Sequence, residues 1–267
     1  MKLGMYLGRA AIINDNHTLQ LINGVKDIQS ILPNLKEKLF LSRERVLPTM
    51  ESFSLPITNP KQIFAVGFNY RDHLNELHTK EPQVPNIFTK FISSLTGPNP
   101  TVKIPSPKTD WETELVIVIS KGGRNISQNL ASQHIAGYMV GQDLSDRQLQ
   151  FANDNPQFSL AKSYENFSPI GPWLTTPDEI TDLNDLTITT ELNGVEKQHS
   201  KLGNLIFGPE KLVSYLSSIT ELYSGDLIFT GTPGGVGAGR NPQEFLKSGD
   251  QLISKIEQLG QLTINLK

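Results

Sequence analysis

Glu112 and Glu114 stand two residues apart in Asp110-Trp111-Glu112-Thr113-Glu114-Leu115, at the mouth of the apolar run Val116-Ile117-Val118-Ile119. Side chains two apart on a strand share a face, so these carboxylates should converge. Converging carboxylates repel unless one takes a proton or a cation lies between them. A hard divalent ion held through oxygen, Mg²⁺ first with Mn²⁺ or Ca²⁺ as substitutes, resolves that conflict. The alternative is a strand edge facing water.

Other residues carry weaker signals. In Phe68 to Leu77, His73 and Glu76 are one helical turn apart, close enough for the carboxylate to orient the imidazole and for the pair to activate a water, although many such pairs only decorate a surface. Asp143 closes the apolar stretch from Ile135, just ahead of Ser145-Asp146-Arg147-Gln148, which has the form of a capping box with serine at the cap. There it can present a ligand or bond turn amides. Arg147 and Gln150 follow three apart on the first helical turns, facing either a substrate or water. Lys162 ends the run Phe158 to Ala161; near a metal its charge would serve an anionic substrate or an enolate, and otherwise it is solvated. Gly225 to Gly237 delivers glycines, Thr230 and Thr232 after a short buried strand, a form that lets backbone amides approach an anion. It lacks the lysine and spacing of a nucleotide-binding phosphate loop.

The elements that must position these groups are mostly strands. Residues 1–58 read as a small unit of short strands from Leu3 to Ile13 and Thr18 to Ile22 around the Asn14-Asp15-Asn16 turn, then helical pieces interrupted at Pro33. Residues 59–267 read as the main domain, opening on the strand Ile63 to Gly67. Thr79 to Pro85 has the polar, proline-rich character of a cover over a site. Leu186 to Leu192 alternates as a half-buried strand ending at the hairpin signal Asn193-Gly194. Pro209 to Ile219 is an amphipathic helix with Leu212, Tyr215, Leu216 and Ile219 on its core stripe. The chain has 267 residues, a formal charge of -3 and no cysteine. Thiolate chemistry and thiolate-bound zinc are thereby excluded, and no basic footprint favours nucleic acid or an anionic membrane. With no signal-peptide pattern at Met1-Lys2-Leu3-Gly4, the expected location is cytoplasmic.

Taken together, Gly67 to Glu76, Asp110 to Leu115, Gly137 to Gln150, Ala161-Lys162-Ser163 through Gly171-Pro172-Trp173, Leu192-Asn193-Gly194 and Gly225 to Gly237 resemble the fumarylacetoacetate hydrolase family, in that family's order. The resemblance implies an α+β, mainly β fold: a mixed β-roll with a small N-terminal β-containing domain, assembled as a homodimer. It implies Glu112, Glu114 and Asp143 as ligands of Mg²⁺ or a similar ion, and His73 with Glu76 as the pair that activates water or shuttles a proton. Lys162, Arg147 and Gln150 then lie around the oxo-acid end, with Thr232 in the loop that closes over it; Arg71 and Arg147 point to an acidic substrate. Gln142 stands where asparagine is usual and Glu165 where aspartate is common, departures that touch substrate choice rather than the ion. The implied activity is hydrolysis of a carbon-carbon bond in a 2-oxo acid or β-diketone through a metal-bound enolate. The alternatives are decarboxylation or isomerisation of an oxaloacetate-like or unsaturated 2-oxo diacid and, from another class, a metal-stabilised binding protein without turnover.

Overall fold

The computed structural model describes residues 1–267 except Asp15, His17, Lys36, Leu77 and His78, and the side chain of Asn75. Asp15 of the expected turn and Leu77 of the expected helix thus lie outside the described residues. The centre of the fold is the strand Thr113–Ile119, every residue of which is buried. It pairs antiparallel with Ile135–Gln142 on one side and with Leu227–Phe229 on the other, and Leu227–Phe229 runs parallel to Ile63–Gly67. These belong to an eleven-stranded mixed sheet. The side chains of Leu115, Ile117 and Val140 meet Ile188, Leu252 and Ile264 of a second, five-stranded sheet. Val116, Val118 and Met139 meet a separate apolar cluster on the opposite face. Covered on both faces, the central strand reads as a continuous apolar run instead of an alternating one. The architecture is the expected mainly β roll.

Residues 1–58 extend this sheet. Lys2–Tyr6 pairs antiparallel with Ser168–Thr175, and Leu3, Met5, Ile28 and Leu32 share a cluster with Ile63, Ala65 and Phe229. The stretch from Leu3 to Ile13 is two strands, not one: Lys2–Tyr6 turns back as Arg9–Ile13 because Leu7 and Gly8 take φ of 47° and 73°, the two-residue turn whose twist suits a hairpin. A leucine in the left-handed region gives no compositional signal, which is why the turn was not expected. Pro33 does not interrupt helical pieces but lies inside one 3₁₀ segment, Ile28–Asn34.

Thr187–Leu192 alternates as expected, and Asn193 and Gly194, at φ 52° and 77°, turn it into Val195–Lys201. The helix Pro209–Ile219 also forms, but its stripe is shifted. Leu212, Val213 and Leu216 are buried, Tyr215 is half-buried and Ile219 is 63% exposed. Among the described residues no helix is long and apolar enough to cross a membrane.

Candidate active site

Glu112 sits one residue before the central strand, and its carbonyl accepts the Asp143 N–H at 2.8 Å, so the two acidic side chains leave adjacent backbones. Glu114 lies opposite Gly141. A Cβ there would meet Val116 Cγ2 at 2.3 Å and Phe229 at 2.9 Å, so only glycine permits this close pairing. Gln142, placed between them, accepts the Glu112 N–H through its amide oxygen and donates to Ser254 at 2.9 Å. It holds the backbone of a candidate ligand without being one. Glu165 is exposed.

One oxygen each of Glu112, Glu114 and Asp143 can be chosen so that all lie within 4.8 Å of one another. Four buried carboxylates, Asp110, Glu112, Glu114 and Asp143, are gathered with three buried cations, Lys90, Arg147 and Lys162. Arg147 donates from Nε to Asp110 at 2.8 Å, from one Nη to Gln150 at 2.8 Å and from the other to Glu112 at 2.6 Å. Lys162 divides its three N–H groups among Glu112 at 2.7 Å, Asp143 at 2.7 Å and Ser145 Oγ at 2.8 Å. Lys90 pairs with Asp143 and donates to the carbonyls of Lys162 and Phe167. Glu114 pairs with none of these cations; it accepts the Gly231 N–H at 2.7 Å.

The electrostatics follow from that partition. Burial would raise the Glu112 carboxyl, but the Lys162 and Arg147 charges bring it down to about 2. Burial and the charges of Asp143 and Glu112 push Glu114 well above the usual carboxylate range. The cluster therefore holds one carboxylate more than its cations neutralise, and that carboxylate belongs to the converging triad. An oxygen-only, buried, charge-deficient cluster fits a hard divalent ion. Burial and like charge favour the protonated form of Glu114 while a metal takes the ionised one, so titration calorimetry near neutral pH should show proton release. The binding enthalpy will then depend on the ionisation heat of the buffer. Identical enthalpies across buffers would mean that Glu114 is already ionised in the metal-free protein.

A cavity of about 270 Å³ opens beside this cluster, lined by His73, Glu112, Arg147, Gln150, Lys162 and Thr232 among others. His73 sits on the helix Arg71–Glu76, 9% exposed, with Nδ1 at 3.3 Å from Glu76 Oε2. The same carboxylate oxygen accepts the Gly235 N–H at 3.1 Å. The bond from His73, more than any other contact, lowers the Glu76 carboxyl below its ordinary value. Phe68 holds φ of 58°, a costly conformation for a bulky residue, and lays its ring nearly parallel to the imidazole, at 11° and 6.4 Å between centroids.

Several expectations change at this point. The helix Arg147–Gln150 is capped by Asp146, not Ser145: the Asp146 carboxylate accepts from Gln148 and Leu149 N–H. Ser145 is in a short bridge to Asp110 and receives Lys162 instead. Arg147, Gln150 and Lys162 are buried rather than solvated. Arg71 does not line the cavity. Its guanidinium pairs with Glu81 at 3.2 Å and donates to the carbonyl of Leu205 at 3.1 Å. None of residues 79–85 lines the cavity, whereas Phe151 and Phe158 do. Thr232 lines it, but its hydroxyl donates to the Thr113 carbonyl and accepts from Gln198, each at 2.8 Å. The amides of the glycine loop do face anions, and these are the protein's own carboxylates. Gly231 binds Glu114, Gly235 binds Glu76, and Gly237 and Ala238 bind Asp110.

Two residues were not singled out from sequence. Lys90, fully enclosed at the end of Asn86–Thr89, looks there like any strand-end lysine. Asp110, two residues ahead of Glu112, carried a signal that spacing alone could have used.

A family model described as fumarylacetoacetate (FAA) hydrolase C-terminal matches residues 62–267. Oxaloacetate tautomerase FAHD2A, mitochondrial, of Bos taurus is 41% identical over 218 residues, spanning 80% of this chain and 69% of that one. A Mycobacterium smegmatis protein provisionally assigned as HpcE is 42% identical with a TM-score of 0.91, covering 100% of this chain and 99% of the other. Fumarylacetoacetate hydrolase from psychrophilic Exiguobacterium antarcticum is 27% identical with a TM-score of 0.90, again over 100% and 99%. With the triad, the histidine pair and the β-roll in place, the chain belongs to the fumarylacetoacetate hydrolase family of enzymes.

Proposed function

We propose that this enzyme moves a proton between C3 and the 2-oxo oxygen of a small 2-oxo acid, the chemistry named in its relative oxaloacetate tautomerase. The observation that carries the reading is the His73 pair. Nδ1 is tied to Glu76 while the ring lines the cavity. With Nδ1–H donating to Glu76, Nε2 is the basic nitrogen available to a substrate carbon. Glu76, kept ionised by that bond, stabilises the imidazolium that forms. A divalent ion held by Glu112, Glu114 and Asp143, with Mg²⁺ as the first choice, would supply Lewis acidity toward the substrate's adjacent oxygens. Arg147 and Lys162 place fixed positive charge beside Glu112, where negative charge on the oxo-acid end would develop.

Following the enol absorbance of oxaloacetate with Mg²⁺ present tests this directly: conversion should exceed the spontaneous rate and stop with chelator. In His73→Gln the rate should fall by ~10² to ~10⁴ with the calorimetric metal affinity unchanged, because His73 is not in the triad. An unaltered rate in that variant would remove histidine as the base. Carbon-carbon hydrolysis is the second reading, favoured by the same His73–Glu76 pair, which can equally deprotonate a water. Stoichiometric release of two acids from an acylpyruvate would establish it, whereas tautomerisation leaves the carbon skeleton whole.

A further inference from the structure

We infer that the substrate of this cavity carries an apolar, flat group at C3 of the 2-oxo acid instead of a second carboxylate; the inference rests on the enolisation reading above. The floor of the cavity is polar. Lys162, only 2% exposed, stands there with its ammonium 5.4 Å from the centre of the Phe88 ring. From Phe88 the wall continues in aromatic side chains, with Phe158 at 5.4 Å between centroids, and the cavity is also lined by Phe151, 59% exposed, and by Phe68, 37% exposed over His73. Half-exposed rings beside a cavity offer an apolar surface that a ligand can cover.

Among the described residues that line this wall, none is a lysine or arginine free to receive a second carboxylate. Of the basic side chains that line the cavity, Arg147 and Lys162 are already tied to Asp110, Glu112 and Asp143, and His73 is engaged with Glu76. Arg240 lies in a neighbouring shallow pocket, paired with Glu244 at 3.2 Å and donating to the Lys197 carbonyl. A carboxylate placed against the Phe88 and Phe158 rings would face their electron-rich surfaces. An aryl group at the same carbon would stack there instead. The 2-carboxylate and 2-oxo group are left to the polar lining at Glu112, Arg147 and Lys162.

Oxaloacetate and phenylpyruvate provide the test, because both are 2-oxo acids that enolise at C3, one bearing carboxylate and the other phenyl. Each reaction only moves a proton from C3 to oxygen, and each enol is followed by its ultraviolet absorbance in the presence of Mg²⁺. The wild-type enzyme should favour phenylpyruvate in kcat/KM by about tenfold or more. Phe158→Leu should raise KM for phenylpyruvate several-fold with little change in kcat; circular dichroism and melting temperature will confirm that the variant is folded. Equal specificity constants, or preference for oxaloacetate, would overturn the aromatic-wall inference and leave the enolisation reading standing. Absence of catalysis above background with either acid would overturn the enolisation reading, and this inference with it.

Discussion

Glu114→Gln is expected to lose nearly all affinity for a divalent ion while keeping its fold. Glu114 is 1% exposed and, among the described residues, is the triad member without a lysine or arginine ion pair. The amide oxygen of glutamine can still accept the Gly231 N–H, so the local backbone bond survives. The amide cannot supply the anionic oxygen that a hard cation requires. In chelator near neutral pH the variant should melt close to the wild-type temperature, because burial and like charge already favour the uncharged form of Glu114. Added Mn²⁺ or Mg²⁺ should raise the wild-type melting temperature and leave the variant unmoved, as expected for a ligand that binds only the native site. Turnover should fall by at least ~10². Calorimetry that returned a wild-type affinity would strike Glu114 from the ligand set.

Lys162→Met should separate the two duties of the site in the opposite sense. Methionine retains much of the volume, but Glu112 and Asp143 lose the ammonium that bonds both at 2.7 Å. Removing one partner from a buried charged pair typically costs ~3 to ~5 kcal/mol, and Lys162 is 2% exposed. Without metal, the variant should therefore melt well below the wild type. The same loss frees the oxygens that a cation would use, so metal affinity should be kept or strengthened and the ion should restore part of the missing stability. Turnover should still drop by ~10² to ~10³, the usual consequence of removing one fixed charge from the reacting oxygens. A variant with normal turnover would exclude Lys162 from catalysis, and one with lost metal affinity would make it part of the metal site's support.

Much of the chemistry was legible because it depends on short spacings. The two-residue period of a strand brought Glu112 and Glu114 to one face, and the helical turn brought His73 to Glu76, with no need of the rest of the fold. The alternation of Thr187–Leu192 and the Asn193-Gly194 turn were equally local. Elsewhere local grammar misled. The capping box pointed to Ser145, but Asp146 took the cap once Ser145 was drawn to Lys162. The solvated readings of Arg147 and Lys162 failed because carboxylates from distant segments were waiting for them, and Gln150 is buried as an acceptor for Arg147.

By itself the sequence determined the donor atoms on offer: no thiolate, a pair of converging carboxylates, an imidazole with its own carboxylate, and a family order that implied the third acidic ligand. Tertiary structure alone decided which charge meets which. Lys90 reaches Asp143 across 53 positions, Arg147 reaches Asp110 across 37, and the Gly237 amide reaches the same aspartate across 127. It also decided that the glycine loop binds the protein's own carboxylates and that phenylalanines wall the cavity. The physical reason is range. Backbone periodicity sets the direction of neighbouring side chains, whereas partners far apart in the chain are chosen by sheet register and by the cost of burying any charge unpaired.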